Sequence, residues 1–217
     1  MHLQHSNLDT LREIRQIMDR SSRFISLSGW SGVVAGISAL AGAWQADRII
    51  GRYYREDYGT PVACPACLKQ DLLLVAASVF AVAFVGAVLF TYRKSRRDGI
   101  PIWGISAQRL MWNTLLPMAV GAFFIWRMME LRQYELVAPA SLLFYGLALV
   151  NGSRFTLGEV RYLGYAIILT GLVNLWFPGS GLYFWAFGFG VLHIVYGLAM
   201  WWRHDRHPDA EATGRTV

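Results

Sequence analysis

The chain has 217 residues, of which 55% are apolar and 16% charged, a charge content well below the roughly 25% of soluble domains. Its net charge of +6 is carried in short segments that form no recognisable nucleic-acid module, and no phosphate loop, Ser-His-Asp arrangement or pair of catalytic carboxylates is present. Composition therefore excludes an ordinary soluble enzyme and points to an all-α, polytopic transmembrane helix bundle without cofactor or nucleic-acid partner.

Residues 1–23 open with Leu8, Leu11, Ile14 and Met18 at helical spacing among Arg12, Glu13, Arg15, Asp19 and Arg20, with Asn7 or Asp9 placed to cap the start. This amphipathic helix either lies in the membrane interface or docks a cytoplasmic partner. The hydrocarbon core is about 30 Å thick and a span needs about 20 apolar residues, which the 23 uncharged residues 24–46 supply. Ala41-Gly42-Ala43 resembles a signal-peptidase site, but the long leader of mixed charge favours a retained span. Within it Gly29, Gly32, Gly36, Ala39 and Ala43 share one face, a small-residue stripe for packing inside the bundle or for forming a homo-oligomer.

The loop 47–71 carries Cys64-Pro65-Ala66-Cys67. Such a pair forms a disulfide or exchanges one, and its spacing resembles that of thioredoxin-like proteins. The flanks do not read as a thioredoxin strand and helix, and no second cysteine pair is present to relay electrons, so a structural disulfide is the favoured reading. Two thiolates without a neighbouring histidine leave no zinc site, and no other metal is expected.

The second span, 72–92, runs into Arg93, Lys94, Arg96 and Arg97, a basic cluster suited to anionic headgroups or a protein partner. A third span, 110–129, has Pro117 at its centre, where the ring cannot donate to the carbonyl of Asn113 and is expected to kink the helix. The fourth, 134–153, is followed by a 41-residue uncharged stretch broken at Phe177-Pro178-Gly179-Ser180-Gly181. That break sets the fifth span at 156–177, with Glu159 and Arg161 at the interface, and the sixth at 182–202. Residues 203–217 read as a disordered cytoplasmic tail.

With both termini inside, the inner segments hold Arg12, Arg15, Arg20, Arg23, the Arg93–Arg97 cluster, Arg109, Arg154, Arg161, Arg203, Arg206 and Arg215. The outer segments hold Arg48, Arg52, Arg55, Lys69, Arg127 and Arg132, an excess of more than two to one that sets an N-in/C-in topology in a bacterial inner membrane. Trp44, Trp126, Trp176 and Trp185 then fall at outer ends and Trp112, Trp201 and Trp202 at inner ends, with Trp30 deeper.

In the sixth span Ala186, Gly190, His193 and Gly197 share a second small-residue face, and His193 lies near the middle of the bilayer. Tyr145 and Tyr165 fall at the same depth in the fourth and fifth spans, level with Pro117. An ionisable group there is costly to bury without a partner, so His193, Tyr145, Tyr165 and Pro117 form the candidate site, as a small-ligand pocket or proton-sensitive switch. The structural alternative is a neutral histidine bonded to a tyrosine that merely ties helices together. Haem would need a second axial ligand, and the uncharged segments contain no Asp or Glu of the kind ion-coupled transporters use.

Ser22-Arg23-Phe24-Ile25-Ser26-Leu27-Ser28-Gly29, Arg161-Tyr162-Leu163-Gly164 and Gly188-Phe189-Gly190-Val191-Leu192-His193-Ile194-Val195-Tyr196-Gly197 together resemble a group of uncharacterised bacterial inner-membrane proteins. The resemblance implies a six-helix fold and no particular activity, and it does not include the cysteine pair. The reading that follows is a non-enzymatic sensor or regulatory scaffold for a cytoplasmic partner, in contact with the lipid bilayer. A small-solute transporter or channel using the midplane site, and a thiol-disulfide protein using Cys64 and Cys67, are the alternatives.

Overall fold

The computed structural model describes residues 29–56, 65–98, 103–156 and 158–202. Helix makes up 91% of these residues, and no strand occurs among them. The helices are α1 (Gly29–Glu56), α2 (Pro65–Asp98), α3 (Ile105–Glu130), α4 (Val137–Gly152), α5 (Val160–Asn174) and α6 (Gly181–Met200). Single 3-10 turns extend α4 into one 22-residue rod, Tyr134–Phe155. The amphipathic segment 1–23, Cys64 and the tail 203–217 lie outside the described residues.

Three helices are long and apolar enough to cross a membrane: Ala66–Arg97, Tyr134–Phe155 and Gly181–Met200. Among them α2 makes the physical case. Leu74, Phe80, Phe84, Val88 and Leu89 are exposed on different sides, and almost none of its apolar window is buried by protein. A helix that is apolar all round and still uncovered needs lipid as its solvent. Helix α1 carries Asp47, Arg48 and Arg52 in its second half, and α3 is polar in its first turns through Gln108, Arg109, Asn113 and Thr114.

Successive helices are antiparallel. Gly42 of α1 faces Val79 of α2 and Gly86 faces Val34, while Gly29 and Gly36 face Gly197 and Gly190 of α6. Helix α1 thus lies between α2 and α6; α6 also touches α4 and α5, and α3 rests on the far side of α4. The basic ends of α2 and α3, the Arg154 end of α4 and the start of α5 share one end of the bundle.

Local chemistry sets the turns. Ser180 N–H bonds to the Phe177 carbonyl at 3.2 Å around Pro178 and Gly179, whose φ of 84° completes a type II turn. At the end of α3, Gln133 N–H bonds to Met128 O and Arg132 N–H to Met129 O, a Schellman cap with Arg132 at φ 59° where glycine is usual.

Two expectations change. Helix α5 has 15 residues, about 22 Å of rise, and so is shorter than the expected span 156–177. Thr156 is extended rather than helical, and Leu175, Trp176 and Phe177 turn back onto Leu172, Val173 and Asn174 ahead of Pro178. Trp30 is not the deep exception: its ring lies 6.1 Å from that of Trp201, at the basic end.

Candidate functional site

The core of the bundle is the junction of α4, α5 and α6, where Leu142 and Ile167 are fully buried and Leu163 nearly so. Gly146 and Gly164 let α4 and α5 touch, since a Cβ on either would lie 2.9 Å from the other's carbonyl oxygen. Tyr145, Leu149, Phe189, Leu192 and Tyr196 pack around this core.

Helix α6 widens there into a π turn over Ala186–Val191, with Leu192 N–H bonding to Phe187 O five residues back. Gly188 and Gly190 are buried on opposite contacts, Gly188 against Leu142 of α4 and Gly190 against Leu40 of α1. Next to this turn stands His193, buried, with Nδ1 at 3.0 Å from the Gly188 carbonyl and Nε2 at 2.9 Å from the Tyr145 hydroxyl. A carbonyl only accepts, so Nδ1 carries the hydrogen; in the neutral ring Nε2 is bare and Tyr145 donates to it.

Aromatic faces surround the pair. Phe189 stacks on His193 at 6.1 Å with 14° between planes, Tyr145 meets Phe189 at 5.0 Å, and Trp185 meets Phe189 at 5.0 Å. An imidazolium would keep its Nδ1 bond, turn Nε2–H into a donor to the Tyr145 oxygen and gain cation–π attraction. Tyr145 would then have to direct its own O–H elsewhere. The site has two hydrogen-bonding arrangements that differ by one proton.

No family model, no curated protein and no solved structure matches the chain.

Of the four midplane residues, His193 and Tyr145 come together and Tyr165 and Pro117 do not. Tyr165 is half exposed on the face of α5 that also carries Tyr162 and Leu169, opposite the buried Leu163, Ile167 and Thr170. Equal depth placed it at the right level but on the wrong side of its helix. Pro117 lies on α3, which packs on α4 away from α6. Its role is different: the Asn113 carbonyl that it leaves without a backbone donor accepts from Asn151 Nδ2 of α4 at 2.8 Å. Asn151 is not among the residues that the sequence marks by depth, though an amide in an uncharged stretch beside a proline-containing helix is a usable signal.

The two small-residue stripes meet each other. A Cβ on Gly29 would lie 2.5 Å from Gly197 O, one on Gly36 2.6 Å from Gly190 O, and one on Gly197 2.6 Å from Gly29 O. Gly32 lies against the His193 carbonyl, where a Cβ would come within 3.2 Å, and Ala39 and Ala43 are buried further along α1.

Arg93, Lys94, Arg96 and Arg97 stand on the last turns of α2, so the expected basic loop begins as helix. Arg93, Arg96 and Arg97 are exposed, and the Arg96 guanidinium lies 5.2 Å above the Tyr92 ring. Cys67, in the first turn of α2, is disulfide-bonded. Among the described residues no group of three or more His, Cys, Asp or Glu could hold a metal ion.

Proposed function

We propose that this protein is a non-enzymatic, multi-pass membrane sensor in which the Tyr145–His193 pair converts a protonation change in the bundle core into a change of helix packing. The single observation that carries the reading is the buried imidazole bonded on both nitrogens across α4 and α6, beside a π turn of the kind that recurs at functional sites. The proposal includes six spans, both termini in the cytoplasm and a bacterial inner membrane; the distribution of arginines and the alternation of helix directions support it. It also includes kinship with the uncharacterised inner-membrane group that the sequence resembles. The cytoplasmic side would then present the helix ends carrying Arg93, Arg96 and Arg97 to lipid headgroups and a soluble partner.

The test uses spin labels at Leu147 and Val195, exposed positions on α4 and α6. On acidification through the histidine range, about pH 8 to about pH 5, the distance between them should shift in the wild type and stay fixed in His193→Phe. A wild-type distance that is the same at both ends of that range overturns the sensor reading and leaves the pair as a structural tie.

A further inference from the structure

The Tyr145–His193 bond ends at a hydroxyl that must turn its own proton away from the ring once His193 is charged. One turn along α6, towards the basic end, Tyr196 has a buried hydroxyl that makes no hydrogen bond among the described residues. A hydroxyl held this way is an expense that a merely structural phenylalanine would avoid. Tyr196 packs on the same α4–α5–α6 core as Tyr145 and lies within electrostatic reach of both Tyr145 and Glu159.

Glu159 occupies the position before the first residue of α5 in helical conformation, at φ −64° and ψ −28°. That places its side chain on the same face as Leu163, four residues on and buried against this core. Glu159 is partly exposed at the basic end of the bundle. Of the arginines near it in the sequence, Arg161 is exposed with its guanidinium 5.7 Å above the Tyr162 ring, and Arg154 is exposed. From α1, the face against α6 contributes Gly29, Gly32, Val33, Gly36 and Leu40, with no titratable side chain.

We propose that Glu159 and Tyr196 form a proton-entry route from the basic end of the bundle to His193. It rests on the sensor reading and adds where the proton comes from. His193 Nε2 takes the Tyr145 hydroxyl proton, the Tyr145 oxygen is reprotonated from Tyr196, and Tyr196 from the Glu159 carboxyl. The carboxyl ends one proton poorer, the imidazole one richer, and both phenols are unchanged. The Tyr196 hydroxyl makes no direct hydrogen bond among the described residues, so the route requires bridging waters across its two gaps. Towards the other end Phe189 stacks on the His193 ring and Trp185 in turn meets Phe189.

The test is a stopped-flow pH drop on the purified full-length protein in micelles, read as the tryptophan fluorescence change that His193→Phe abolishes. Glu159→Gln and Tyr196→Phe should each slow that change about tenfold or more while leaving its final amplitude intact, and Tyr183→Phe, exposed at the opposite end, should not slow it. Tyr196→Phe removes only an oxygen that makes no hydrogen bond among the described residues, so it should unfold no more easily than the wild type; this separates slowed proton entry from a damaged fold. Rates unaltered by both substitutions overturn the route with the sensor reading intact. A wild-type fluorescence change that does not depend on His193 overturns both.

Discussion

Pro117 and Asn151 should be energetically coupled. Pro117 removes the backbone donor that would close on Asn113 O, and Asn151 Nδ2 occupies that carbonyl at 2.8 Å from the neighbouring helix. Asn151→Ala should therefore strand an acceptor in the α3–α4 contact. Interhelical hydrogen bonds in bilayers are worth about 0.6 kcal/mol on average and up to about 1.7, and a stranded carbonyl sits at the upper end, so a loss of about 1–1.5 kcal/mol is expected. In Pro117→Ala the restored N–H satisfies the same carbonyl, and the cost of Asn151→Ala should fall to about 0.3 kcal/mol. The assay is reversible unfolding of all four proteins in mixed micelles, followed by circular dichroism. If the two substitutions are additive within about 0.3 kcal/mol, the carbonyl is not the link and the reasoning fails.

The glycine stripes give a paired test: Gly197→Ala forces backbone against backbone and should cost about 1–3 kcal/mol, whereas Gly51→Ala, with open space around it in α1, should be neutral or stabilising by about 0.5 kcal/mol in the same unfolding assay. The two left-handed turn positions should respond in opposite directions. Arg132→Gly should stabilise by about 0.5–1 kcal/mol and Gly179→Ala should destabilise by about 1 kcal/mol, and equal signs would show that backbone conformation does not govern these turns.

What the sequence made legible was local or set by depth. Phe177–Gly181 announced its turn because proline and glycine fix backbone angles without help from the rest of the chain. His193 and Tyr145 could be matched because each lies midway along its own uncharged stretch, and the small residues around His193 marked an inward face. Depth carries no information about direction around the helix axis, which is why equal depth does not place Tyr165 at the site: from Tyr162 to Leu169 α5 carries no charge on any side, and its buried face is marked only by Gly164 and Gly171, seven residues apart, with Thr170 and Asn174. The position of α3 outside α4, and with it the separation of Pro117 from His193, depends on the order of helices around the bundle. No single helix encodes that order. The short α5 was hidden for another reason, since Leu175, Trp176 and Phe177 are apolar enough to count as span while they turn out of the helix.

His193 also has a backbone contact that bears on how a change at its ring would travel. The side chain reaches α4, while its carbonyl lies against Gly32 in the stripe where α1 and α6 touch, close enough that a Cβ on Gly32 would come within 3.2 Å. Any rotation of α6 that follows the exchange of donor and acceptor at Tyr145 is therefore felt by α1, the helix that follows directly on the N-terminal segment. Gly32→Ala should wedge this contact by a few tenths of an ångström without touching Tyr145, costing about 1–2 kcal/mol. With the spin labels moved to the exposed Ile37 of α1 and Val195 of α6, the acid-induced distance change should shrink in Gly32→Ala and keep its full size in Gly51→Ala. A change of equal size in both would mean that α1 does not respond through this contact, and that the pair acts on α4 alone.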